Sequence, residues 1–102
     1  MNTNKNIIDI AKDSFENQGK SILSLGQYLT KDFEDTVNTI HSSSGRVIVS
    51  GIGKSAIIGM KIVATLNSTG TPAIFMNAAE AIHGDLGVVQ NNDTVILISK
   101  SG

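Results

Sequence analysis

A lysine, a histidine and several serines lie in three polar segments of an otherwise apolar second half of the chain. Lys54 and His83 are residue types that stabilise negative oxygen and move protons on a polyol. Serine hydroxyls and the backbone N–H groups of a glycine-rich turn at a helix start hydrogen-bond a phosphate group. These residue types therefore favour a sugar-phosphate site with acid–base groups beside it. The candidates are Gly53, Lys54, Ser55, Glu80, His83, Asp85, Ser99, Ser101 and Gly102.

The first polar segment, residues 51–55, lies between a β-branched run and an apolar pattern typical of a helix. Residues 46–50 are too few for a helix and predict a strand, whereas the apolar positions from 57 to 66 predict a helix. We expect Ser55 to cap that helix and Lys54 to lie beside its positive end. Residues 73–77 and 94–98 predict two more strands, the last apolar at successive positions like a parallel strand covered on both faces.

This order of elements predicts where the polar segments meet. Parallel strands place their carboxyl ends at one edge of the sheet, and open α/β sheets bind ligands along that edge. Residues 51–55, 77–85 and 99–102 are therefore expected to converge there. Residues 78–83 predict a short helical turn, and residues 84–87 predict a loop.

The first 45 residues predict helices ahead of the sheet. Apolar residues recur with a period of about 3.5, which predicts one long amphipathic helix or two short ones. Gly19 and Gly26 are the weak points at which the helix could break. Thr30 is expected to cap a further helix that buries Phe33, Val37 and Ile40. The first helix either forms an oligomer contact or covers the sheet.

Composition excludes several classes of protein. A net charge of -1 offers no electrostatic basis for binding nucleic acid. No apolar run approaches the ~20 residues of a membrane-spanning helix. The absence of cysteine excludes disulfides, a thiolate nucleophile and cysteine-ligated zinc, and it fits a cytoplasmic protein. We expect no metal, because only Glu80 and Asp85 accompany His83 as ligand types.

Three kinds of phosphate site compete for the glycine turn. A nucleoside-triphosphate P-loop is excluded, because Ile48 stands where its first glycine is needed. The dinucleotide fingerprint G-x-G-x-x-G/A matches residues 51–56, but Asn77 stands where the acidic ribose ligand belongs. A dinucleotide-binding Rossmann domain therefore stays as a remote alternative. A sugar-phosphate site accounts for all three polar segments.

Four motifs together resemble the sugar isomerase (SIS) domain family, and within it the arabinose-5-phosphate isomerases. They are GIGKS at 51–55, STGTP at 68–72, EAIHGDLG at 80–87 and ISKSG at 98–102. The resemblance implies an α/β fold with a doubly wound parallel sheet, of the flavodoxin-like three-layer type. It also implies interconversion of D-ribulose 5-phosphate and D-arabinose 5-phosphate for Kdo and lipopolysaccharide synthesis, by a cytoplasmic homo-oligomer that needs no cofactor, nucleic acid or membrane.

The resemblance also implies roles for individual residues. Lys54 and His83 would be catalytic, and Glu80 and Asp85 would support them. The phosphate would be bound by Gly53, Ser55, Ser99, Ser101 and Gly102. Lys100, between two of these serines, adds positive charge beside the phosphate.

The same resemblance implies a partial SIS domain over residues 1–102, truncated after the third strand. Residues 1–45 would be N-terminal helices, and residues 46–102 the first half of the sugar-phosphate-binding core. The family pattern continues past Gly102 with further acid–base residues, so the base that removes the carbon-bound proton is expected there rather than at Glu80. The alternative to an enzyme is a non-catalytic module that binds a sugar phosphate.

Overall fold

The computed structural model describes residues 6–102, except for the side chain of Asp85. The chain divides into two compact units, Met1–Asp35 and Thr36–Gly102, and each is described by itself. The sheet and the candidate site belong to the second unit.

The first unit contains a long helix, α1, at Ile7–Ser24, followed by a 3-10 helix at Leu25–Tyr28. The Asn6 side chain caps α1 by accepting the Asp9 N–H at 2.8 Å. The predicted helix is confirmed, and it passes through Gly19 without a break. The α-helical geometry ends just before Gly26, which confirms one of the two weak points. None of the residues of α1 is buried.

The second helix, α2, spans Lys31–Ser42. Thr30 Oγ1 accepts the Asp32 N–H at 3.2 Å, which confirms the predicted cap. Ile40, near the carboxyl end of α2, packs against the core of the second unit. The prediction that Phe33 and Val37 are buried was wrong, because they are 55% and 48% exposed. His41 lies in the last turn, where positive charge suits the helix dipole.

The sheet has three parallel strands in the order β2-β1-β3. They are β1 at Val47–Gly51, β2 at Ala73–Asn77 and β3 at Thr94–Leu97. Ile48 of β1 pairs with Ile74 of β2 and with Val95 of β3. Every residue of β1 is buried, because this strand lies in the middle. The predicted α/β fold with parallel strands is confirmed. The prediction that the last strand is covered on both faces was wrong, because Val95 and Leu97 of β3 are exposed.

A helix and a short helical segment connect the strands. The helix α3, Lys54–Ser68, joins β1 to β2 and packs against both. Gly59 permits this close approach, since a Cβ there would lie 3.1 Å from a ring carbon of Phe75 and 3.2 Å from Val49 Cγ1. The chain returns from β2 to β3 through α4 at Ala78–Ile82 and a 3-10 helix at Asp85–Val88.

The prediction of a plain loop at residues 84–87 was wrong. The Gly87 N–H donates to Gly84 O at 3.3 Å, and the Val89 N–H donates to Leu86 O at 3.1 Å. These short-range hydrogen bonds form a 3-10 turn. Such a turn is too short to show a periodic pattern of hydrophobic residues in the sequence. Among residues 6–102, no helix is both long and apolar enough to cross a membrane.

Candidate functional site

The carboxyl ends of the three strands meet at one edge of the sheet. Gly51 at the end of β1 pairs with Asn77 at the end of β2, and Ser50 pairs with Leu97 at the end of β3. A cavity of about 420 Å³ opens at this edge, and all three polar segments contribute to its wall. The predicted convergence is therefore confirmed. The lining residues are Ser50, Gly51, Ile52, Ser55, Ala78, Leu97, Ile98, Ser99, Lys100 and Ser101.

The turn that enters α3 exposes the amino end of this helix. Gly53 holds φ 62° and ψ -131°, a conformation that side-chain-bearing residues rarely adopt, and it occupies the cap position without a side-chain hydrogen bond. The first helical bond runs from the Ala56 N–H to Gly53 O at 3.1 Å. The N–H groups of Lys54 and Ser55 precede that bond, so they are available to an anion.

The expectation that Ser55 caps α3 was wrong. The helix begins at Lys54, so Ser55 is its second residue and lies inside the first turn. Its half-buried side chain lines the cavity instead. Gly53 takes the cap position because the turn requires a positive φ, which favours glycine over serine.

Ser99 and Ser101 come to the cavity from the segment that follows β3. Ser99 Oγ accepts the Gly102 N–H at 2.8 Å, which fixes residues 99–102 as a turn. The hydroxyl proton of Ser99 is left to donate, so the same oxygen serves both the turn and a bound anion. Together with Ser55, these residues supply hydroxyl donors from two strand ends.

Ser50 is a cavity residue that the sequence interpretation did not select. It is 3% exposed, lines the cavity, and its hydroxyl makes no hydrogen bond to any residue from 6 to 102. Every fully enclosed side-chain oxygen or nitrogen in that part of the chain has a hydrogen-bond partner. Because the Ser50 hydroxyl has no such partner, it is not fully enclosed, and the cavity that it lines is where it is accessible. Such a group is costly unless a ligand or water satisfies it. The available signal was one hydroxyl in an otherwise apolar strand, directly before Gly51.

The predicted acid–base residues lie outside the cavity wall. Lys54, Glu80 and His83 are exposed, and none of them is a lining residue. His83 follows α4, and its backbone N–H donates to Glu80 O at 2.9 Å. The Asp85 side chain lies outside what the structure describes. Gly53 and Gly102 flank the cavity in sequence without lining it. The catalytic, supporting and binding roles of all these residues stay predictions.

The position of Asn77 bears on the dinucleotide alternative. Asn77 Oδ1 accepts the Ala79 N–H at 2.9 Å and thereby caps α4. The residue at the end of β2 thus caps a helix, whereas a dinucleotide site needs an acidic residue at this position to bind the ribose. Within the described part of the chain, no three His, Asp or Glu side chains gather where they could hold a metal ion.

A family model and several known proteins match this chain. The model of the SIS domain matches residues 40–102. Among curated proteins, the arabinose 5-phosphate isomerase GutQ of Salmonella typhi is 55% identical over 78 residues, 76% of this chain. The arabinose 5-phosphate isomerase KdsD of Yersinia pestis is 45% identical over 96 residues, 86% of this chain.

A solved structure, that of c3406 from E. coli CFT073 in complex with arabinose 5-phosphate, superposes with a TM-score of 0.84 at 40% sequence identity. The superposition covers 97% of this chain and 52% of that one. The chain also spans only 24% of the GutQ protein and 29% of the KdsD protein. The similarity therefore extends over nearly all of this chain but over a minor part of the curated relatives.

Proposed function

The chain belongs to the SIS domain family, and on that premise we propose that it carries the sugar-phosphate site of an aldose–ketose isomerase. The proposed reaction interconverts D-ribulose 5-phosphate and D-arabinose 5-phosphate. The observation that carries the proposal is the cavity at the carboxyl edge of the sheet, where hydroxyls, a lysine and the amino end of α3 gather. The relatives named arabinose 5-phosphate isomerase support the choice of sugar.

The phosphate group is proposed to lie against the start of α3. Ser55, Ser99 and Ser101 donate hydroxyl protons to it, and the uncapped N–H groups of α3 add hydrogen bonds and a partial positive charge. Gly53 and Gly102 let the backbone approach the phosphate oxygens. The volume of about 420 Å³ lies within the range of about 300–1,000 Å³ that is typical of small-molecule sites.

The isomerisation moves a hydrogen between neighbouring carbons through an enediol. A base removes a proton from C1 of the ketose, the C–H electron pair forms the C1=C2 bond, and the carbonyl electrons move to the C2 oxygen, which takes a proton. The C1 hydroxyl then loses its proton and becomes the new carbonyl while a proton returns to C2. Lys54 is proposed to stabilise the negative oxygen, and His83 to exchange protons with a hydroxyl group. Glu80 and Asp85 are proposed to orient the loop that carries His83.

The cellular setting is also part of the proposal. Arabinose 5-phosphate would serve as the precursor of Kdo for lipopolysaccharide, made by a cytoplasmic homo-oligomer; the similarity to KdsD supports this pathway. Support for self-association comes from α1, whose large apolar side chains, such as Phe15 at 76% exposure, are not buried. Apolar surface of this kind is typical of interaction faces.

The experiment is to incubate the purified full-length protein with D-ribulose 5-phosphate and follow D-arabinose 5-phosphate by NMR. We expect the aldose to accumulate to equilibrium, and the double variant Ser99→Ala, Ser101→Ala to raise KM. Calorimetric titration with D-arabinose 5-phosphate runs in parallel. Binding without turnover would favour the non-catalytic module. Failure of both binding and turnover would contradict the proposed function.

A further inference from the structure

The charge in the cavity wall comes from one residue. Among the described residues that line the cavity, Lys100 alone carries a charge, and no acidic side chain opposes it. Lys100 forms no ion pair with any residue between 6 and 102, so its ammonium group is available to a ligand. A dianion in this cavity would meet Lys100 as its nearest lining counter-charge.

The turn after β3 positions Lys100. The hydrogen bond from the Gly102 N–H to Ser99 Oγ closes the turn around Lys100 at 2.8 Å. Across the cavity lies the start of α3, whose cap residue Gly53 offers no side-chain acceptor to the helix N–H groups. Positive charge therefore comes from two sides, a full charge from Lys100 and a partial one from the helix.

Ser50 indicates independently that a ligand belongs in this cavity. Its hydroxyl belongs to a residue that is 3% exposed, and the described chain offers it no hydrogen-bond partner. The cavity is the side from which a ligand or water can reach this hydroxyl. The same cavity thus combines a hydroxyl that bonds no described residue with a lysine that forms no ion pair.

We propose that Lys100 is a specificity-determining residue that pairs with the phosphate group of the substrate and selects a doubly ionised phosphate monoester over a neutral sugar. This inference rests on the proposed function for the identity of the sugar phosphate. The ion pair forms when substrate binds and persists through the reaction, because the phosphate takes no part in the chemistry. Such uniform binding lowers KM and leaves kcat largely to other residues.

The test compares Lys100→Gln and Lys100→Arg with the wild type in the full-length protein, with Lys61→Gln as the matched control. Lys61 is an exposed lysine on α3 outside the cavity wall. The probes are inorganic phosphate, D-arabinose 5-phosphate and neutral D-arabinose, each titrated by calorimetry at low and high salt. We expect Lys100→Gln to lower the affinity for inorganic phosphate and for D-arabinose 5-phosphate about tenfold. Lys100→Arg should keep the wild-type affinity for both, and Lys61→Gln should leave both affinities unchanged.

Two further readouts separate a phosphate ion pair from a structural role. KM for the sugar phosphate should rise about tenfold in Lys100→Gln, with a much smaller change in kcat. The affinity of the wild type for inorganic phosphate should fall with salt more steeply than that of Lys100→Gln, because one screened charge pair is missing from the variant. If Lys100→Gln fails to fold, Lys100→Ala takes its place in this comparison and should show the same shallower salt dependence, whereas Lys100→Arg should keep the steep salt dependence of the wild type.

The outcomes distinguish this inference from the proposed function. Equal phosphate affinities in wild type and Lys100→Gln, or a wild type that does not bind inorganic phosphate, overturn the role of Lys100. A wild type that binds inorganic phosphate through Lys100 but neither binds nor isomerises D-arabinose 5-phosphate keeps the role of Lys100 and overturns the proposed reaction.

Discussion

Arg46 and Asp93 pair at the amino edge of the sheet, with 2.9 Å between Arg46 Nη2 and Asp93 Oδ2. The same carboxylate accepts the backbone N–H of Arg46 at 2.9 Å and that of Gln90 at 2.7 Å. Arg46 Nη2 also donates to Val88 O at 2.8 Å. The pair thus ties the start of β1 to the turn before β3, at the end of the sheet opposite the cavity. The Asp93 side chain is only 2% exposed.

This arrangement predicts acid sensitivity through Asp93. The side-chain hydrogen bond from Arg46, followed by the backbone N–H of Gln90, lowers the pKa of Asp93 from 3.8 to about 2. Because the folded-state pKa lies below the unfolded one, the carboxylate contributes full stability above about pH 4. That contribution falls as the pH drops from about 4 to about 2.

We therefore expect Asp93→Asn to lower the midpoint of urea unfolding at pH 7, and the difference from wild type to shrink between about pH 4 and pH 2. Glu16→Gln is the control, because Glu16 pairs with Lys20 at 3.0 Å while both side chains are more than half exposed, and such pairs contribute little. An Asp93→Asn variant whose deficit stays constant over this pH range would contradict the assignment.

The backbone conformations of Gly53 and Gly19 predict opposite effects of a glycine-to-alanine substitution on stability. Gly53→Ala places a side chain at φ 62°, where an L-residue is strained, and should cost about 1–3 kcal/mol of unfolding free energy. Gly19→Ala lies inside α1 with nothing within 4 Å of its added Cβ, and should stabilise by about 0.5–1 kcal/mol. Urea denaturation measures both changes. A loss at Gly19 equal to that at Gly53 would refute the conformational explanation.

We expect the substitution Ser50→Ala to lower phosphate affinity without lowering the stability of the fold. Ser50→Ala removes a hydroxyl that no described residue bonds, so the unfolding free energy should change by less than about 0.5 kcal/mol. Affinity for inorganic phosphate should fall about fivefold, the equivalent of one hydrogen bond. Thermal denaturation and calorimetric titration supply the two measurements.

Ser43→Ala provides the contrasting serine. Its hydroxyl donates to Asn92 O at 3.0 Å and accepts the Gly45 N–H at 3.2 Å. Its removal should cost about 1 kcal/mol of stability and leave phosphate affinity unchanged. If Ser50→Ala instead destabilised the fold as Ser43→Ala does, the cavity hydroxyl would have a structural role.

Lys54 predicts a defect in turnover. Lys54→Gln removes the cation proposed to stabilise the enediolate oxygen, and kcat should fall about 10²–10³-fold, the usual effect of losing one such donor. The assay is the conversion of D-ribulose 5-phosphate by the full-length protein. Lys61→Gln, on the same helix, should retain the parental rate. Parental turnover in Lys54→Gln would exclude Lys54 from the chemistry.

The fold was predictable because local preferences and packing agree. Residues 47–49 are β-branched and precede a turn with two glycines. This pattern predicts a buried strand over residues 46–50, and β1 lies within one residue of those bounds. The position of Thr30 before acidic residues predicted that it caps α2, and its hydroxyl does so. The 3-10 turn at Asp85–Val88 escaped prediction, since a single turn of this kind has no hydrophobic repeat to identify it.

The sequence by itself determined the parallel strands, the helix after the glycine turn and the edge at which three polar segments meet, because backbone preferences and hydrophobic periods are local properties. Only the tertiary structure decided which side chains enter the cavity. It placed Ser50 and Lys100 in the wall and left Lys54 and His83 outside it. Side-chain direction at a strand end or in a loop depends on the register and on neighbouring elements, which residue spacing does not encode.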